Sequence, residues 1–242
     1  MCEIKTLVYC DLEATGLKNS GRPRITELSL VAVNTESILD LNEMLLSQSK
    51  VKVERMLPRV MNKLTVCVYP MATIRPEVSG ITGLDNYNLN GQATFDKETG
   101  VLINSFLARL PKPLCLVAHN GDLYDFPLLK AELEKAGVTL PCDIMCADSY
   151  VGIKEIFKRS EDTLQLQSKT DFICLGKPTS YSLINLHKHL LGCSPFQSHG
   201  AEVDSLTLIR TTAVLGMEWV KWVKENCHLF SMCTKMWSFR TC

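Results

Sequence analysis

Changes in the spacing of apolar and polar positions divide the chain into elements. Residues 5–13 are an apolar, β-prone run, Leu7-Val8-Tyr9-Cys10, that closes on two acids one residue apart, Asp11 and Glu13, ahead of Thr15-Gly16. After a turn containing Gly21-Arg22-Pro23, residues 24–33 form a second run. Its apolar positions Ile25, Leu28, Leu30 and Val31 are too dense for one wet face, which predicts a strand covered on both sides. Residues 64–69 read as a third strand, apolar on both faces and suited to pair with its own copy at a sheet edge. The mixed segment 35–60 between these two strands predicts a surface excursion, with a helix near 41–48 and a basic stretch from Lys50 to Arg59. Around Ile81-Thr82, the glycines Gly80 and Gly83 predict a compact loop.

The later part of the chain changes period. Residues 93–110 read as a helix, and 114–118, wholly apolar, as a buried central strand. Next comes His119-Asn120-Gly121-Asp122-Leu123-Tyr124-Asp125-Phe126-Pro127, then helical spacing through Leu128, Leu129, Ala131, Leu133 and Ala136. Asn120 or Asp122 is the expected cap, and Pro127 confines the helix start to its own neighbourhood. Residues 143–147 form a weaker fifth strand and 149–158 a helix, followed by a polar, mixed loop from Ser160 to Pro178. A helix over 180–191 has its core side at Leu183, Leu186, Leu190 and Leu191, with His187 and His189 expected at the surface. Another, opening near Ser198-His199-Gly200, runs to about 214, and a last one covers 216–227 with Trp219 and Trp222 as core. This succession predicts an α/β layered domain with a mixed sheet of five strands. The acids fall where such folds place their sites, at one edge of the sheet.

Composition narrows the classes. With 46% hydrophobic and 21% charged residues in 242, the chain is an ordinary globular protein of one large α/β domain. Formal net charge is zero, so any nucleic-acid contact must come from a local surface or bound metal rather than a global field. The eleven cysteines are irregularly spaced, with no Cys-x-x-Cys pair. That pattern predicts reduced thiols, without a disulfide frame or a zinc site. No secretory leader and no membrane-length apolar run is read, so a protein of the cytoplasm or nucleus is expected.

Asp11 and Glu13 share a strand face, and two adjacent carboxylates resist each other's ionisation. An oxygen-only pair of this kind suits a hard cation, Mg²⁺ or Mn²⁺. Alone it also fits a solvated turn, just as Asp125 alone fits a carboxylate complementing a helix dipole.

The order of the pieces is more specific than any one of them. Asp-Leu-Glu-Ala-Thr-Gly at 11–16 is followed by Ile-Thr-Gly-Leu at 81–84, Val-Ala-His-Asn-Gly-Asp-Leu-Tyr-Asp-Phe at 117–126 and His-Gly-Ala-Glu-Val-Asp at 199–204. This series resembles the DEDDh exonucleases of the RNase H-like superfamily, and within them the TREX branch of three-prime repair exonucleases, over about residues 5–238. The resemblance implies one exonuclease domain over residues 1–242. It matches Asp11, Glu13, Asp125 and Asp204 to four metal-binding acids and His199 to a general base. Ala14, Leu17, Ile81 and Leu84 match positions that hold and wedge terminal nucleotides, and Tyr124 an aromatic near the scissile phosphate. It further implies two Mg²⁺ ions per site (Mn²⁺ substituting), removal of nucleoside 5′-monophosphates from single-stranded or frayed DNA 3′ ends, and a homodimer. A 3′→5′ exoribonuclease and a non-catalytic nucleic-acid-binding protein on the same fold are the alternatives.

The chemistry is consistent with the residues. Paired divalent ions suit phosphodiester hydrolysis, four acids suffice to hold two of them, and a histidine near neutral pH can take a proton from the attacking water. Apolar wedging would need no base readout. Two departures stand out. Leu123 occupies a position where the family often has Arg, and Lys177 is the only obvious cation in the loop before Ser180-Tyr181-Ser182-Leu183. Strong duplex binding is therefore not expected. The proline-rich insert and hydrophobic tail of one family member are absent, which removes a reason to expect membrane tethering.

Overall fold

Alternation along the first strand decides the layering. In the computed structural model, which describes residues 3–17, 21–47, 56–164, 176–195 and 199–237, β1 (Thr6–Ala14) sends Leu7 and Tyr9 to one face and Val8, Cys10 and Leu12 to the other, all buried. β1 pairs antiparallel with β2 (Ile25–Asn34) and parallel with β4 (Leu114–Ala118). β3 (Asn62–Cys67) pairs antiparallel with β2 at one end of the sheet. At the other end β5 (Met145–Asp148) pairs parallel with β4, and the two-residue β6 (His228–Leu229) pairs antiparallel with β5. The order is therefore β3-β2-β1-β4-β5-β6. The sheet is mixed, as expected, but has six strands rather than five, because two residues carry no readable period.

Helices cover both faces. α1 (Thr35–Ser47), α5 (Ser149–Leu164), α6 (Leu183–Leu191) and α7 (Ala201–Asn226) enclose one core with Leu7, Tyr9, Val31, Val33, Cys115 and Val117. α3 (Lys97–Ala108) and α4 (Asp125–Lys135) enclose the other with Val8, Cys10, Leu12, Leu28, Leu30 and Leu116. Each fully buried aliphatic or aromatic side chain contributes about 1.5–3 kcal/mol of transfer free energy. β1, β2 and β4, apolar on both sides, are thus the most strongly held part of the sheet.

Several details depart from the sequence reading. The expected loop around Ile81 is a short helix, α2 (Pro76–Thr82), with Pro at its start and Gly83 as a left-handed cap at φ 73°. Only Gly83 of the two glycines needs its special backbone. α4 begins at Asp125 with Tyr124 at its N-cap and no side-chain capping bond, so neither Asn120 nor Asp122 caps it. The expected break near residue 215 is a kink within α7 at Gly216 (φ 51°), where a Cβ would stand 2.6 Å from Asn42 Oδ1. Asn42 Nδ2 donates to the Val214 carbonyl at 2.9 Å, satisfying an acceptor beside the kink. His187 is buried rather than at the surface, with Nδ1 2.9 Å from the Cys193 carbonyl. It follows Leu183 by four residues and so shares the apolar face. Trp219 and Trp222 are core, stacked 5.6 Å apart over Gly152. Most of the basic stretch (50–55) and most of the polar loop (165–175) lie outside the described residues.

Candidate active site

The acids meet at the C-terminal end of β1. Period two puts Asp11 and Glu13 on the same face as Leu7 and Tyr9, the face on which α7 packs. Tyr9 Oη and Thr212 Oγ1, 2.8 Å apart, tie β1 to α7 and fix its height on the strand. That brings Asp204, in the first turn of α7, over the pair. Carboxylate oxygens of Asp11, Glu13 and Asp204 all lie within 4.8 Å of one another. Asp125 comes from the opposite layer, at the start of α4. It is 5% exposed, the Leu12 backbone N–H offsets part of the rise that burial gives its carboxyl, and its charge is the largest repulsion felt by both Cys10 and Asp11. It stands beside the three-oxygen cluster rather than inside it. His199 precedes α7 with φ 67°; its N–H donates to Asp204 Oδ2 at 3.1 Å, and its ring is exposed.

Mutual repulsion marks the electrostatics. Burial pushes the Glu13 carboxyl from its ordinary 4.5 up to about 7, with Asp204 and Glu27 adding to the rise. Burial, then Asp125, Asp204, Glu13 and Glu27, drive Asp11 well above the usual carboxylate range. Asp125 and Asp204 are also raised, chiefly by burial, and Asp204 is partly relieved by His199. Such a set is stabilised by positive charge. Its donors are all carboxylate oxygens, which fits hard divalent ions such as Mg²⁺ or Mn²⁺.

Next to the acids runs a groove of about 660 Å³ lined by Glu13, Ala14, Gly16, Leu17, Ile81, Thr82 and Tyr124, with Arg75 and Glu77 at its side. Leu17 is 71% and Ile81 57% exposed, so two large apolar side chains face solvent across it. Tyr124 Oη donates to the Gly16 carbonyl at 2.6 Å, fixing its ring on the groove wall. Leu84, half-buried, follows the α2 cap outside this lining.

Two acids that hold the site were not singled out in the sequence. Glu27 stands opposite Glu13 in the β1–β2 register, and its Oε2 accepts the Ala201 N–H, the first of α7, at 2.8 Å. It anchors the helix end that delivers Asp204. A glutamate inside the doubly covered run 24–33 was the available signal. Asp148, buried at the end of β5, accepts N–H bonds from Asn120 (2.9 Å), Asp122 (3.2 Å) and Tyr150 (2.8 Å), and so shapes the loop that leads to Asp125.

No protein-family model matches the chain. It is 37% identical over 241 residues to three-prime repair exonuclease 1 of Bos taurus, covering 98% of this chain and 72% of that protein. It is 37% identical over 237 residues to human three-prime repair exonuclease 1, covering 97% and 71%. Against three prime repair exonuclease 2 of Mus musculus the identity is 35% over 224 residues, covering 92% and 88%. Among solved structures, the zinc-bound E. coli exonuclease I–single-stranded DNA complex superposes with a TM-score of 0.61 at 13% identity, over 92% of this chain and 43% of that one. The nuclease domain of 3′hExo, a DEDDh family member bound to rAMP, gives 0.59 at 14%, over 93% and 95%. At such identities these two establish the fold, that of the DEDDh exonucleases, and this chain spans less than half of exonuclease I.

Proposed function

The chain belongs to the three-prime repair exonuclease family, and on that premise we propose that it hydrolyses DNA from the 3′ end, releasing nucleoside 5′-monophosphates. The observation that carries the reading is the convergence of Asp11, Glu13 and Asp204 within 4.8 Å, with Asp125 alongside, at the mouth of an apolar groove. Asp11, Glu13, Asp204 and Asp125 would hold two Mg²⁺ ions, with Mn²⁺ substituting. When bound, these would neutralise the phosphate and supply Lewis acidity at the scissile bond.

The chain's own residues do the rest. His199, exposed beside Asp204, accepts the proton of the attacking water as general base. Leu17 and Ile81 wedge the terminal bases without reading them, Ala14 and Leu84 bound the backbone path, and Tyr124 faces the scissile phosphate. The neutral net charge and the apolar rim favour single-stranded or frayed ends over gripped duplex. β3, at the sheet edge with partly exposed Lys63, Leu64 and Thr65, supports pairing with a second copy.

The test is a 3′ ladder. The full chain with 5′-labelled single-stranded DNA and Mg²⁺ should shorten it from the 3′ end, and Asp204→Ala should not. No shortening, or an Asp204→Ala variant equal to the parent, defeats the reading. Faster loss of an equimolar RNA oligomer would make the substrate RNA.

A further inference from the structure

Behind the catalytic loop, at the β5–β6 edge, soft donors converge that the nuclease chemistry does not use. Cys146 of β5 and His228 of β6 are direct partners in the antiparallel register, and Cys233 folds back onto them through the 3₁₀ turn Phe230–Met232. Cys146 Sγ lies 3.3 Å from His228 Nε2 and 3.4 Å from Cys233 Sγ, and Cys233 Sγ lies 3.6 Å from His228 Nε2. A second observation points into the same space. Asp122 Oδ1 is buried and has no hydrogen-bond partner, yet lies 3.4 Å from His228 Nε2.

We propose that Cys146, His228 and Cys233, with Asp122 turning in as the fourth ligand, form a structural site for a zinc ion.

The spacings carry the assignment. Bond lengths of about 2.3 Å to sulfur and 2.0–2.1 Å to nitrogen or oxygen, in a tetrahedron, separate two sulfurs by about 3.8 Å and sulfur from nitrogen by about 3.6 Å. Nitrogen and a carboxylate oxygen fall about 3.4 Å apart. The three separations among Cys146, His228 and Cys233 fall within about 0.4 Å of these, and Asp122 Oδ1 stands at the expected distance from His228 Nε2 but outside the cluster of the other three, so it completes the set only by turning in. The donor set is soft, unlike the carboxylates of the active site, and excludes Mg²⁺ and Ca²⁺. The ligands come from three separate parts of the chain, which is why a search for Cys-x-x-Cys spacing finds no site.

The consequence is mechanical. Asp122 is three residues ahead of Asp125 and shares the loop that Asp148 shapes. The segment after β6 is stitched to α4: Phe126 and Phe230 rings meet edge to face at 6.4 Å, Met236 N–H donates to the Pro127 carbonyl at 3.0 Å, and Lys130 Nζ donates to the Ser231 and Cys233 carbonyls. A zinc ion here clamps that segment, β5 and the Asp125 loop into one block.

The test needs two readouts that the carboxylate site cannot imitate. The full chain, purified under reducing conditions and dialysed against zinc-free buffer, should keep about one zinc per chain. Asp11→Asn/Asp204→Asn should keep it, and Cys146→Ala and Cys233→Ser should lose it and melt several degrees lower. Cobalt exchanged into the parent should give a thiolate-to-cobalt charge-transfer band, which oxygen ligands alone do not produce. Because the cysteine variants can fail to fold, the parent is also alkylated with iodoacetamide and mapped by mass spectrometry. Zinc should protect the half-buried Cys233 and leave the exposed Cys142 reactive. Cobalt spectra without the charge-transfer band, zinc lost with Asp204 rather than Cys233, equal alkylation with and without zinc, or a Cys146–Cys233 disulfide in the reduced, zinc-supplemented protein would each overturn the proposal.

Discussion

A nuclease that crowds acids at one strand end should be destabilised by its own machinery until cations arrive, and Glu13→Gln isolates that cost. The substitution keeps shape and removes one charge. Glu13 rises from 4.5 to about 7, so the folded chain holds a proton that the unfolded chain releases. The sign follows. Stability from this group is full below pH 4.5 and is lost as pH climbs through about 7. The full shift corresponds to about 3.4 kcal/mol. Glu13 is only half-buried, so solvent screening cuts this to about 1.7 kcal/mol. Linkage over the same two values leaves about 0.4 kcal/mol at pH 5.

In chelator at pH 8, then, Glu13→Gln should melt above the parent by about 3–7 °C, given roughly 2–4 °C per kcal/mol for a chain of this size. At pH 5 the gap should shrink to about 1–2 °C. In Mg²⁺ the order should reverse. The parent gains by mass action, about 2.7 kcal/mol at a hundredfold excess over Kd, while the variant has lost a ligand and gains less. Melting followed by far-ultraviolet circular dichroism at two pH values, with chelator and with Mg²⁺, reads all four cases. A variant that melts at or below the parent in chelator at pH 8, or whose advantage is the same at pH 5, refutes the account of mutual repulsion.

Three further outcomes follow from the geometry. His199→Ala should lower kcat by roughly 10²–10⁴-fold while leaving the Mg²⁺-induced rise in melting temperature intact, because its ring is exposed and serves the proton rather than the cations. Leu17→Ala and Ile81→Ala should each raise KM on single-stranded DNA by roughly 5–50-fold, about 1–2.3 kcal/mol of lost base contact, with no change in melting; an unchanged KM would remove the groove from the substrate path. Glu27→Ala should lower kcat by roughly 10–100-fold by releasing the α7 end, and Glu27→Gln, which still accepts the Ala201 N–H, should recover most of it; equal losses in both would show that charge rather than position is what Glu27 supplies.

The parts of the site legible in the sequence were those governed by local period. Alternation in β1 put Asp11 and Glu13 on one face, and Pro127 confined Asp125 to the start of a helix. What period cannot express is which helix lies over which face. Asp204 reaches the pair because α7 seats Thr212 against Tyr9, two residues more than two hundred apart in the chain. The same limit hid Glu27 and Asp148, whose roles exist only through backbone N–H groups of other elements. His187 was misread for a different reason. Its polar type suggests the surface, whereas its place four residues after Leu183 and three before Leu190 puts it on the buried stripe.

The architecture explains why so unfavourable a cluster can persist. The acids that repel one another hang from β1, whose Leu7, Val8, Tyr9 and Cys10 are at most 1% exposed and packed on both faces. Repulsion of a few kcal/mol cannot separate groups fixed to so deeply held a strand. It is instead available to whatever positive charge enters. Asp125 and Asp204 arrive from opposite layers, so opening the cluster would require moving both α4 and α7 off the sheet. α4 is held from behind by the bidentate pairing of Arg24 Nε and Nη2 with the fully buried Glu132, and removing one partner of such a pair costs about 3–5 kcal/mol. The cheaper response to an uncompensated charge is therefore protonation in place. That predicts acids that titrate high and a fold that stays closed, and it makes cation binding a release of protons rather than a change of shape.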